Sequence, residues 1–134
     1  MPGERTRMNL YLYSLIVALH VVSLTFCAGP VLALALVPGE LSPLAAQRLS
    51  RVAGFGLLGV LLTGVAAVAM SGPAFIHTWW LRLSGVLFLV IGALLGRLRK
   101  LTREAGSASG VRAVAWTITL ALVLVVYLME GKPF

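Results

Sequence analysis

Charged side chains are scarce in this sequence: 15 of its 134 residues are Asp, Glu, Lys or Arg. A soluble domain carries roughly a quarter of its residues as charged side chains, so the composition excludes an ordinary soluble protein. Hydrophobic residues make up 60% of the chain. We therefore expect an all-α integral membrane protein, because helices satisfy their own backbone hydrogen bonds in lipid. There is no room beside the helices for a second, soluble domain.

Acidic residues are the rarest charged type, and none lies in the middle of an apolar run. The four acids are Glu4, Glu40, Glu104 and Glu130. Proton-coupled transporters and pumps usually carry a carboxylate inside the membrane, so the sequence disfavours that class. No nucleophile–base pair is visible either, and we expect a protein without hydrolytic or transfer catalysis.

The cysteine count and the position of the basic residues exclude further classes. Cys27 is the single cysteine, so no intrachain disulfide can form, and no paired Cys/His spacing indicates zinc. The net charge is +7, but the basic residues lie at the ends of apolar runs, where they meet lipid headgroups. We therefore expect the bilayer and other membrane subunits as partners, and no nucleic acid.

Four apolar runs approach or exceed the length of about 20 residues that crosses a bilayer. They predict spans at about 10–37, 50–70, 77–98 and 112–129. In the third, 14 uncharged residues separate Arg82 from Arg97, so the span must begin before Arg82, whose side chain snorkels. The sequence thus predicts one transmembrane domain over 1–134, a four-helix bundle. The polar link 102–110, rich in Gly and Ser, is expected to be a mobile loop.

The distribution of basic residues predicts the topology. With four spans, both termini and the second loop lie on one side of the membrane. That side holds Arg5, Arg7, Arg82 and Lys132. The other side holds Arg48, Arg51, Arg97, Arg99, Lys100, Arg103 and Arg112. The more basic side is cytoplasmic by the positive-inside rule, so we expect a plasma-membrane (inner-membrane) protein with both termini outside.

His20 is the first candidate site residue, since it lies deep in the first span. Ser23 and Cys27 follow at helical spacing, so the three side chains share one face, which we expect to turn away from lipid. His20 is either an axial ligand to haem or another metal, or a histidine hydrogen-bonded to the backbone or a hydroxyl of a neighbouring helix. His77 lies on the order of 15 Å away along the membrane normal, so one iron cannot take both.

Arg82 is the second candidate, because it is the one cation expected within a span. As a functional group it would clamp a propionate, a lipid phosphate or a quinone-like oxygen. As a structural group it would snorkel, or pair with Glu130 on the same side of the membrane.

Two stripes of small residues predict close helix packing. One stripe is Gly85, Gly92 and Gly96; the other is Gly56, Gly59 and Thr63. Packing within the bundle and packing against another subunit are equally compatible with this pattern. In either case we expect Gly92 and Gly96 to tolerate leucine less well than Leu94 tolerates substitution.

Several short segments resemble two related groups of small bacterial membrane proteins. The segments are Ala18-Leu19-His20-Val21-Val22 with Ala28-Gly29, Thr63-Gly64, Trp79-Trp80-Leu81-Arg82-Leu83, Gly96-Arg97-Leu98-Arg99, and Lys132-Pro133-Phe134. They are similar to segments of the copper-resistance D type and of the membrane protoporphyrinogen oxidase type, which binds haem b. The resemblance implies that His20 matches a haem-ligating histidine and that Arg82 stands near a functional lysine.

Three hypotheses follow from the sequence. The first is a non-catalytic accessory subunit packed in a larger redox or photosynthetic membrane complex. The second is a haem-b protein with His20 as axial ligand, active in porphyrin oxidation or electron transfer. The third is copper handling, for which Met8, Met70, Met129 and Cys27 offer soft ligands in addition to Met1.

Overall fold

A computed structural model describes residues 2–131; Lys132, Pro133 and Phe134, which enter the charge count and the resemblance, lie outside this part. Within it the chain forms α1 (Pro2–Leu36), α2 (Pro43–Ser71), a 3-10 turn (Pro73–His77), α3 (Trp79–Arg103) and α4 (Ala108–Gly131). Each of the four α-helices is long and apolar enough to cross a membrane. The predicted all-α four-helix fold is confirmed, and the chain is a multi-pass membrane protein.

The four helices form an antiparallel ring. α1 packs on α2 and α4, and α3 packs on the same two helices, whereas among the described residues no Cα atoms of α1 and α3, or of α2 and α4, come within 8 Å of each other. Pro2 and Gly131 consequently lie at the same end of the bundle, which we call the terminal end. The opposite end carries the α1–α2 and α3–α4 links, and we call it the packed end.

The buried core is concentrated at the packed end. Its members are Cys27, Val31, Leu34 and Ala35 of α1, Ala53 and Leu57 of α2, Ile91, Leu95 and Leu98 of α3, and Val111, Ala115, Ile118 and Leu122 of α4. Beyond this core, towards the terminal end, the buried residues of the described chain are Trp80, Ser84 and Leu128. The helices therefore interdigitate closely at one end and are more loosely packed at the other.

The packed end also contains a polar contact that the sequence did not reveal. The hydroxyls of Ser50 on α2 and Thr102 on α3 are 3.2 Å apart, and both side chains are buried. Their positions, 52 residues apart in the chain, give no local signal of the pairing. A hydrogen bond of this kind fixes the register of α3 against α2.

α1 is longer than its apolar run. It has 35 residues, about 52 Å of helix, and residues 3–15 are all exposed. The predicted span 10–37 begins later because hydropathy identifies the part that lipid covers. The backbone hydrogen bonds of the helix continue beyond it through Glu4, Arg5 and Arg7.

The α3–α4 link is much shorter than the mobile loop predicted for 102–110. α3 continues to Arg103 and α4 begins at Ala108, so that prediction was wrong. Gly106 N–H donates to the Leu101 carbonyl (2.9 Å) and Ala105 takes a left-handed φ of 50°, which together close α3 with a Schellman-type turn. The Ser107 hydroxyl accepts from Gly110 N–H (3.2 Å) and caps α4. Ala105, Gly106 and Ser107, which were predicted to belong to a mobile loop, end one helix and cap the next.

Candidate functional site

The His20 face of α1 packs on the small-residue stripe of α2. A Cβ added at Gly56 would overlap the backbone nitrogen of Cys27, and one at Gly59 would be 2.5 Å from the Ser23 hydroxyl oxygen. Backbone and side chains of α1 thus occupy the space that these glycines leave open. The prediction that His20, Ser23 and Cys27 share a protein-facing side is confirmed.

The imidazole of His20 is held by a hydroxyl of the neighbouring helix. Its Nδ1 lies 2.8 Å from Thr63 Oγ1, and a Cβ at Gly64 would be 3.4 Å from its Cε1. Thr63 therefore orients the ring and Gly64 makes room for it. This is the hydroxyl contact that the sequence left open as the alternative to metal ligation.

The hydrogen bonds of Thr63 indicate which nitrogen of His20 carries the proton. Thr63 Oγ1 donates to the Gly59 carbonyl over 2.6 Å, the helix back-bond typical of threonine. A hydroxyl has one proton, so a Thr63 hydroxyl that donates to Gly59 accepts from His20 in the tautomer that carries its proton on Nδ1. In that tautomer Nε2 carries the lone pair.

Arg82 and His77 lie together at the terminal end, away from His20. They line a shallow depression of about 460 Å³ with Trp79, Leu83 and Val86. The 3-10 turn brings His77 to this position, and the first turns of α3 supply the other residues. Within residues 2–131 the Arg82 guanidinium makes no hydrogen bond or ion pair, so the pair with Glu130 considered from the sequence does not form.

Two of the three glycines in the α3 stripe face away from the bundle. A Cβ at Gly85 or Gly96 would meet no atom within 4 Å, and one at Gly92 would lie 3.9 Å from Leu57 Cδ2. Leu94 packs against the core. We expected Gly96 to tolerate leucine less well than Leu94 tolerates substitution. Within the single chain this expectation is wrong, because α3 turns the face that carries Trp80, Ser84, Leu95 and Leu98 inward instead.

Ser84 is a buried polar group that sequence reasoning missed. Its side chain is 4% exposed, and its hydroxyl oxygen has no hydrogen-bond partner within the described chain. The helical spacing from Trp80 to Ser84 places both on the inward face of α3. That spacing is the signal from which its burial could have been predicted.

The described residues bring His20 together with Thr63 and Gly64, and His77 together with Arg82, but they do not bring the two histidines together. No group of three or more His, Cys, Asp and Glu side chains within residues 2–131 is arranged to hold a metal ion. No protein-family model matches the chain, and no curated protein or solved structure does. Its function is therefore argued from its own geometry.

Proposed function

We propose that this chain is a non-catalytic accessory subunit, held in a larger membrane complex by the outward face of α3. The observation that supports this most directly is the open glycine stripe: among the described residues, a Cβ added at Gly85 or Gly96 would meet no atom of another helix within 4 Å. Leu89, on the same face, is 72% exposed. Glycines leave a shallow groove on the helix surface, and a groove beside an exposed leucine allows a second helix to pack at close range in lipid.

The short links between the helices support the same proposal. Six residues join α1 to α2, and four join α3 to α4. Apart from the first turns of α1, most of the surface available to a partner therefore lies within the bilayer. We place the assembly in the bacterial inner membrane, as a redox or photosynthetic complex, with both termini outside as the basic residues predict.

Gly96→Leu is expected to release the chain from its complex. A leucine there fills the gap that the partner helix would occupy, while leaving the chain's own packing unchanged, because no atom lies within 4 Å of the added Cβ. Native electrophoresis of membranes solubilised in a mild detergent measures the effect. The wild type should migrate with other proteins, well above its own 14.2 kDa, and Gly96→Leu should migrate free of them.

Gly29→Leu is the matched control, since Gly29 is also exposed in a helix and also has open space around it. It should migrate with the complex. A wild type that migrates alone, or only with copies of itself, would contradict the proposal, and so would a Gly96→Leu variant that remains in the complex.

A second candidate function, haem-b binding, is favoured by the orientation of His20. Axial histidine ligands generally donate their Nδ1–H to a fixed acceptor, which leaves Nε2 for the metal. The Thr63 hydroxyl is such an acceptor at 2.8 Å. His20 would therefore be the residue that holds the haem iron, which would supply electron transfer or porphyrin oxidation.

Under this second candidate, the purified protein supplied with haem b should show the Soret band of a histidine-ligated haem. His20→Ala should abolish the band and His77→Ala should leave it unchanged, because His77 lines a separate depression. Thr63→Val should lower haem affinity about tenfold or more, the usual cost of losing a hydrogen bond that orients a ligand. A wild type that gives no band, or a band that survives His20→Ala, rules the candidate out.

A further inference from the structure

The depression beside Arg82 combines cationic and apolar side chains. It is lined by His77, Trp79 and Arg82 and by Leu83 and Val86, and the two aliphatic residues follow Arg82 along α3 towards the middle of the helix. His77, Trp79, Arg82 and Val86 are exposed, so the depression opens sideways from the bundle towards lipid. This lining matches the polarity of a phospholipid, because the cationic residues suit a headgroup and the aliphatic residues suit an acyl chain.

The depth of Arg82 corresponds to the level of lipid phosphates. α3 begins at Trp79, so Arg82 lies three residues, about 4.5 Å, inside the helix. Tryptophan concentrates at the membrane–water interface, and the exposed Trp79 marks that level. An arginine there meets phosphates, which its planar guanidinium can bind through two parallel hydrogen bonds.

We propose that this depression binds an anionic phospholipid, with the phosphodiester on Arg82 and His77 and an acyl chain along Leu83 and Val86. Charge complementarity supports this occupant: the Arg82 guanidinium has no counter-ion within residues 2–131. The amino-terminal end of α3 adds the partial positive charge of a helix dipole.

The lipid site and the proposed subunit contact lie on different flanks of α3. At about 100° per residue, Leu83 and Val86 lie to one side of Arg82, whereas Gly85 and Gly96 lie to the other. A lipid in the depression therefore leaves the glycine stripe open. The proposal does not depend on the accessory role and can be tested on the purified chain.

Arg82→Gln is expected to weaken binding of phosphatidylglycerol about tenfold, the loss typical of a charge-assisted hydrogen bond. The measurement is native mass spectrometry of the delipidated full-length chain in detergent, titrated with phosphatidylglycerol. Arg82→Lys keeps the charge but loses the two parallel hydrogen bonds of the guanidinium, and its affinity should lie between those of the wild type and Arg82→Gln. Arg97→Gln is the matched control, because Arg97 is an exposed cation at the opposite end of α3, and it should bind like the wild type.

Val86→Trp tests the shape of the site without changing its charge, and it should also weaken the lipid complex. Leu89→Trp makes the same change on the neighbouring exposed turn and should not. Inorganic phosphate at millimolar concentration should fail to displace the lipid, since it lacks the acyl chain. Equal losses in Arg82→Gln and Arg97→Gln would overturn the proposal, as would wild-type affinity in Arg82→Gln or displacement by inorganic phosphate.

Discussion

Gly56→Leu is expected to separate α1 from α2 and to lower the free energy of unfolding by about 3 kcal/mol or more, beyond the usual cost of overpacking. Even a Cβ at this position would overlap the Cys27 backbone nitrogen and lie 2.6 Å from the Phe26 carbonyl carbon. Backbone atoms cannot rotate aside as a side chain can, so the whole of α1 must move. Unfolding of the purified chain in mixed micelles, titrated with dodecyl sulfate, measures the loss.

Gly85→Leu is the control for this experiment, because it makes the same change on a helix face with no atom within 4 Å. It should unfold at the same detergent composition as the wild type. Equal stability of Gly56→Leu and Gly85→Leu would mean that α1 and α2 do not approach as closely as the structure shows.

Leu98→Ala should produce the second-largest loss of stability, about 1–3 kcal/mol. Leu98 is fully buried in the core at the packed end. The transfer part of the usual Leu→Ala cost is small here, because lipid tails are as apolar as the core, but the packing contacts are lost. The same detergent titration applies, with Leu62→Ala as control because Leu62 is 63% exposed on α2; a loss of equal size in the control would contradict the location of the core.

The four helices were predictable from the sequence, but their ends were not. Each apolar run approaches or exceeds bilayer length, and that alone fixes the number and type of elements. The ends depend on caps that lie outside lipid. Ser42 accepts from Ala45 N–H (3.2 Å) and starts α2 seven residues before the predicted 50, and Ser107 starts α4 in the same way. A hydropathy profile does not detect these capping hydrogen bonds.

The facing of α3 was not predicted, although the spacing of Trp80 and Ser84 marks one side of the helix. In lipid, a stripe of small residues marks a packing face but does not name the helix that packs on it. The two glycine stripes were therefore equivalent in the sequence. The structure distinguishes them: Gly56 and Gly59 meet α1, whereas Gly85 and Gly96 face outward.

His20 was identified from its depth in the membrane, but its partner was not. A polar group in a span must find a hydrogen bond, so a hydroxyl or backbone partner was expected. The choice of Thr63 depends on the register of α1 against α2, which is set by the close approach of Gly56 and Gly59. The position of His77 beside Arg82 could not be predicted for a related reason, since it depends on the 3-10 turn.

The uneven distribution of the core has a mechanical consequence. The work needed to spread the helices apart is concentrated where Leu34, Leu98 and Ile118 are fully enclosed, and it is small at the terminal end. The cross-section of the protein is therefore rigid in one leaflet and compliant in the other. We therefore expect a bilayer that thins, or that changes its lateral pressure, to alter the width of this protein more in the leaflet of its termini than in the opposite leaflet.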